Sequence, residues 1–174
     1  MRGRNWTRPD TLRVGLAAAT LAGGALLARR GVPELEAQVF RAVNGLPDAL
    51  NPVVWPVMQA GSLVGGLALA AALGTKTKNL KVAVSAGAAV ATTWVIAKLV
   101  KDAVGRERPF GVGLDPEMRD HGTTGLGYVS GHTAIAVAIA TVAAPHLPPR
   151  VRWIVFALAA VVGLSRIYVG AHLP

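Results

Sequence analysis

Residues 82–109 read VAVSAGAAVATTWVIAKLVKDAVGRERP. From Val82 to Val100 the stretch is almost wholly apolar, and it has the length of a membrane-crossing helix, which needs roughly 20 residues. The run stops at Lys101; after six intervening residues comes Arg108-Pro109. The whole chain fits a bilayer. Hydrophobic residues make up 52% of its 174 residues and charged residues 16%, against about 25% charged in a soluble domain. Mean hydropathy is +0.45. Aromatics are scarce while Ala and Gly abound, and small residues let helices approach closely in lipid. The absence of cysteine excludes disulfides and thiolate metal sites.

Other runs flank this one. Val14–Ala28 follows a basic start, and Arg29-Arg30 after it fits a retained first span better than a signal-peptide cleavage site. In Val32–Leu46, Pro33 suits a first helical turn, and Leu35, Val39, Val43 and Leu46 recur at helical spacing among Glu34, Glu36, Gln38 and Arg41. This predicts a short amphipathic helix on the membrane surface, with packing against the bundle as the alternative. Val53–Leu73, Thr133–Leu147 and the run after Arg152 through Leu164 are further spans. The expected fold is all-α: an integral membrane bundle with five transmembrane spans and one interfacial helix, forming a single domain over residues 1–174.

Charge sets the orientation. The N-terminal segment, the loop at 74–81 and the loop at 148–152 hold four, three and two basic residues against the single acid Asp10. Between residues 101 and 131, Lys101, Arg106, Arg108 and Arg119 are offset by Asp102, Glu107, Asp115, Glu117 and Asp120. The positive-inside rule then puts the N-terminus in the cytoplasm and the 101–131 loop outside the cell membrane. The net charge of +9 is accounted for by topology, and a nucleic-acid partner is not expected.

Three clusters fall on that outer side: Lys101 with Arg108-Pro109, Ser130-Gly131-His132 opening the fourth span, and Ser165-Arg166 with His172 ending the fifth. Lys101, Arg108 and Arg166 can neutralise a phosphate, arginine as a planar fork and lysine as a point charge. Helix-start N–H groups at Ser130-Gly131-His132 favour an anion, and Gly131 allows close approach. Two imidazoles can act as nucleophile and acid. Three cations and a helix terminus can stabilise the phosphoryl oxygens, so the reading calls for no metal and no cofactor.

These residues resemble the type 2 phosphatidic acid phosphatase family, the lipid phosphate phosphatases, which also includes vanadium haloperoxidases. Lys101, Arg108 and Pro109 match its Lys-x6-Arg-Pro motif. Ser130, Gly131 and His132 match Pro-Ser-Gly-His, with Val129 in the place of proline. Ser165, Arg166 and His172 match Ser-Arg-x5-His-x3-Asp. The resemblance implies His172 as nucleophile forming a phosphohistidine, and His132 as general acid. It implies Lys101, Arg108, Ser130, Gly131 and Arg166 as phosphate ligands, no metal, and catalytic motifs within 101–174. The motif's aspartate would fall two positions past Pro174, and membrane members carry a sixth span, so it also implies a chain incomplete at its C-terminus. The expected substrate is a lipid phosphate reached from the bilayer: a polyprenyl pyrophosphate, phosphatidylglycerol phosphate or phosphatidic acid. A phosphotransferase and a non-catalytic lipid-phosphate-binding module are the alternatives. Oligomeric state is not legible.

Other polar residues have plainer readings. Lys98 reads as a snorkelling side chain, and Trp55, Trp94 and Trp153 as an aromatic belt. Arg106, His121 and the acids Asp115, Glu117 and Asp120 read as solvated loop residues, and His146 as interfacial.

Overall fold

The structure, a computed structural model, describes residues 8–120 and 124–174. Its helices are α1 (Arg8–Ala28), α2 (Glu34–Asn44), α3 (Asn51–Gln59), α4 (Leu63–Thr77), α5 (Leu80–Val104), α6 (Gly131–Ala143) and α7 (Pro149–Tyr168). Among the described residues there is no strand. Three helices, α1, α5 and α7, are long and apolar enough to cross a membrane alone.

The expected second span is broken. α3 and α4 meet at a 60° bend. The cause lies in Gly61, Ser62 and Gly65. The Ser62 hydroxyl donates to the Gln59 carbonyl at 2.8 Å and accepts from the Gly65 N–H at 2.9 Å, capping α4. A side chain at Gly65 would collide with the Gln59 carbonyl. The expected fourth span is also short. α6 has 13 residues, about 20 Å at 1.5 Å per residue, and Pro145 turns its end into a 3-10 turn at Ala144–His146.

Helices α4 to α7 form the core through small side chains. Ala70, Leu73, Ala86, Val90, Ile135 and Ile139 make one buried cluster, and Ala136, Ala140, Ala159 and Val162 another. Gly74 faces Ala83 so closely that an added side chain would overlap it, the close approach that glycine permits between membrane helices. Large apolar side chains such as Val84, Leu99, Ile154 and Trp153 point outward instead, as a lipid-facing surface requires.

Helix α2 takes the alternative placement, packed against the bundle. Ala37, Phe40 and Asn44 are buried against a bundle that includes α7. Leu35, Val39 and Leu46, from the predicted apolar stripe, face outward. Asn44 ties three segments together. Its amide donates to the carbonyls of Tyr168 and Glu117 at 2.9 and 3.0 Å, and its oxygen accepts from the Glu117 N–H at 2.8 Å. Arg119 adds bonds to Asp48 and to the Asn44 and Tyr168 carbonyls. Together these fix the loop before α6 against the end of α7. Arg106 is not solvated as expected. It makes a 2.6 Å ion pair with Glu36 in which both side chains are mostly buried, because the fold sets α2 over the start of that loop.

Candidate active site

Helix α5 ends where Gly105, in the left-handed region at φ 71°, donates its N–H to the Lys101 carbonyl. The chain then turns back and brings Arg108 beside the end of α7. The Arg108 Nε donates to the carbonyls of Thr124 and Gly125 at 3.1 and 3.0 Å, and its Nη1 to that of Ala171 at 2.5 Å. Helix α7 ends in a comparable turn. Gly170 has φ 78°, and the N–H groups of Ala171 and His172 both donate to the Arg166 carbonyl. This reversal folds His172 back toward the side that Arg166 occupies, which is the structural meaning of five residues between them.

The result is a cavity of about 280 Å³ lined by Lys101, Arg108, Gly131, His132, Arg166 and His172. Six of the seven residues picked out by sequence therefore converge. Ser130 is the exception. Its hydroxyl accepts from the Thr133 N–H at 3.3 Å as the N-cap of α6, and it lines a neighbouring recess with Tyr128 and Val129. A serine at this point is needed first to start the helix that carries His132.

The His172 ring is held from both sides. Its Nδ1 lies 2.6 Å from the Gly127 carbonyl, which can only accept, so Nδ1 carries the proton. The other nitrogen, Nε2, is then a lone pair, 3.4 Å from the Arg108 Nη1. Burial, with the nearby Arg108 and Arg166 guanidiniums, holds the imidazole well below its usual range, against the opposing pull of the Gly127 carbonyl. The ring is thus kept neutral, as a nucleophile requires.

Arg166 is buried at 4% exposure. Its Nη1 donates to Asp120 Oδ2 at 2.7 Å, while its Nε has no partner among the described residues. A buried donor without an acceptor, beside a cavity, suits an anion. A side chain on Gly131 would meet no protein atom within 4 Å, so the helix start is open to a ligand.

Lining residues not picked out from the sequence include Gly61, Trp94, Lys98 and Asp120. Lys98 is not merely interfacial. Its ammonium lies 3.8 Å from the Trp94 ring centroid, and both face the cavity. Asp120 is not a solvated loop acid but the partner of Arg166. Gly61 belongs because α3 and α4 break there. A side chain at Gly61 would strike the His132 carbonyl and come within 2.7 Å of Val162. The only signal for it was the Gly-Ser pair inside an apolar run. His121 lies outside the described residues.

The family model described as PAP2 superfamily matches residues 78–174. No curated protein matches the chain. Among solved structures, the chain is similar to a transmembrane PAP2-type phosphatidylglycerolphosphate phosphatase from Bacillus subtilis. The TM-score is 0.68 at 20% identity, covering 89% of this chain and 84% of that one. At that identity the likeness is one of fold.

Proposed function

The chain belongs to the PAP2 superfamily, and from that premise we propose that it is a membrane phosphatase acting on lipid phosphates or pyrophosphates through a phosphohistidine on His172. The observation that carries this reading is the His172 ring: Nδ1 bound to the Gly127 carbonyl, and Nε2 beside Arg108 in a cationic cavity.

A terminal phosphate enters the cavity and is neutralised by Lys101, Arg108 and Arg166, with the N–H groups at Gly131 adding to them. Nε2 attacks phosphorus, and the bond to the leaving oxygen breaks. His132 gives that oxygen its proton. The phosphorylated ring is now cationic, and its retained Nδ1–H donates to the Gly127 carbonyl, which favours that state. Water then attacks phosphorus, His132 takes up a proton from it, and the N–P bond breaks. Inorganic phosphate leaves and both imidazoles return to their starting forms. The three cations act as positioned electrostatics, the main demand of phosphoryl transfer.

The same reading assigns one domain over residues 1–174 with five passes, counting the bent α3–α4 pair and the short α6. The turns with Lys76, Lys78 and Lys81, and with Arg150 and Arg152, lie at the helix ends opposite the cavity. They belong on the cytoplasmic side, and the cavity on the extracytoplasmic side of the cell membrane.

The test is release of inorganic phosphate from a panel of polyprenyl pyrophosphate, phosphatidylglycerol phosphate and phosphatidic acid, measured against pH. Because the His172 pKa is lowered, the ring stays neutral as pH falls, and its lone pair is lost only on passing the lowered value. The acid limb of kcat/KM therefore lies below about pH 6.5. Arg108→Gln removes one cause of the lowering, so the limb moves to higher pH on the same substrate. No phosphate from any member of the panel would refute the proposal; a limb that moves down in the variant would refute the assignment of His172.

A further inference from the structure

The cavity holds one cation that the three motifs leave unused. Lys98 lies one helical turn before Lys101 on α5, about 4.5 Å along the axis at 1.5 Å per residue, and lines the same cavity. Its ammonium stands 3.8 Å from the Trp94 ring centroid, a contact that steadies the charge over an aromatic face. Leu63, Ala97 and Ile135 line the cavity with this pair.

Charge balance asks for a larger anion than one phosphate. Lys98, Lys101, Arg108 and Arg166 line the cavity with Asp120 as the carboxylate. With His172 neutral, and apart from the proton that His132 delivers to the leaving oxygen, four cations against one carboxylate leave three positive charges. A phosphate monoester brings about 1.5 to 2 negative charges. The remainder, roughly one charge, favours a ligand that carries a second anionic group. Direction agrees with charge. The chains of a lipid come from the bilayer, so the part of a substrate between scissile phosphate and chains passes Lys98 on its way along α5 from the catalytic end.

We infer that Lys98, seated on Trp94, binds a second phosphate anion lying between the scissile phosphate and the lipid chains. The enzyme is thereby selective for a lipid pyrophosphate, or for a phosphomonoester linked through a phosphodiester, over a simple lipid phosphomonoester. The inference rests on the phosphatase reading above and adds the substrate class.

The experiment uses the full chain in lipid nanodiscs and two matched pairs of substrates. Farnesyl pyrophosphate is set against farnesyl monophosphate, and phosphatidylglycerol phosphate against phosphatidic acid with the same acyl chains. Lys98→Met keeps length and the apolar contact with Trp94 but removes the charge. The kcat/KM ratio within a pair, doubly over singly phosphorylated, falls about tenfold, and Lys98→Arg restores most of it. A fall confined to the first pair assigns the subsite to a pyrophosphate, and one confined to the second pair to a phosphodiester; either supports the inference. Equal losses on both members of both pairs, or no change, would make Lys98 a snorkelling or structural residue and overturn it. A wild-type protein inert on all four lipids overturns the phosphatase reading itself, and is told apart because no rate exists to compare.

Discussion

Phosphate release falls by roughly 10⁴-fold or more when His172 is replaced by alanine, since loss of a nucleophile removes the covalent route altogether. The residue is 3% exposed, and its ring is fixed by the Gly127 carbonyl and the Arg108 guanidinium. Among the described residues, nothing else in the cavity presents a neutral, oriented lone pair of this kind. His132 has no hydrogen-bond partner for its ring among the described residues, and its backbone carbonyl is packed against Gly61. Arg41→Ala is the matched control. Arg41 pairs with Glu34 at 2.6 Å, but both side chains are more than half exposed, and such surface pairs contribute about 0–1 kcal/mol. Its rate stays near wild type. Steady-state phosphate release from both variants checks this, and equal activity in the two would remove His172 from the mechanism.

Arg166→Ala lowers kcat/KM by about a thousandfold, the scale of losing one strong donor to a phosphoryl oxygen. It also destabilises the fold. Arg166 Nη1 lies 2.7 Å from Asp120 Oδ2 and 3.1 Å from Met58 Sδ. Breaking a buried ion pair costs roughly 3–5 kcal/mol, and the 21% exposure of the Asp120 side chain places this case toward the lower figure. Arg166→Lys separates the two effects. It keeps the charge for Asp120 but loses the planar fork. Thermal unfolding should recover most of the lost stability while kcat/KM stays low. Full recovery of kcat/KM in the lysine variant would mean that the fork is not used on substrate.

Much of this arrangement was legible in the residues. Lys101, Arg108, His132, Arg166 and His172 were found by chemistry and spacing, and apolar runs placed them at helix ends on one side. Those signals are strong because cations and imidazoles recur at fixed spacing at the ends of otherwise apolar runs. What stayed hidden depends on tertiary neighbours. Arg106 looks like any loop arginine until the fold sets Glu36 against it. Asp120 sits in a loop with other acids, and only the end of α7 distinguishes it. Lys98 and Trp94 resemble the lysines and tryptophans that decorate any span end; their shared face on the cavity comes from the rotation of α5, which periodicity in a uniformly apolar helix does not mark. The bend at Gly61 was masked for the same reason, since composition is apolar on both sides of it. The stripe on α2 was read correctly as apolar, yet Leu35, Val39 and Leu46 face outward while Phe40 and Val43 pack inward.

Catalysis through His172 requires a covalent bond between phosphorus and one ring nitrogen. Rapid acid-free quenching of the protein with a lipid phosphate labelled at its terminal phosphorus, followed by peptide mass spectrometry, tests it directly. An alkali-stable, acid-labile label is expected on the peptide carrying His172, lost in His172→Ala. Turnover with a label on another residue, or with no bond between protein and phosphorus at any time point, would contradict it.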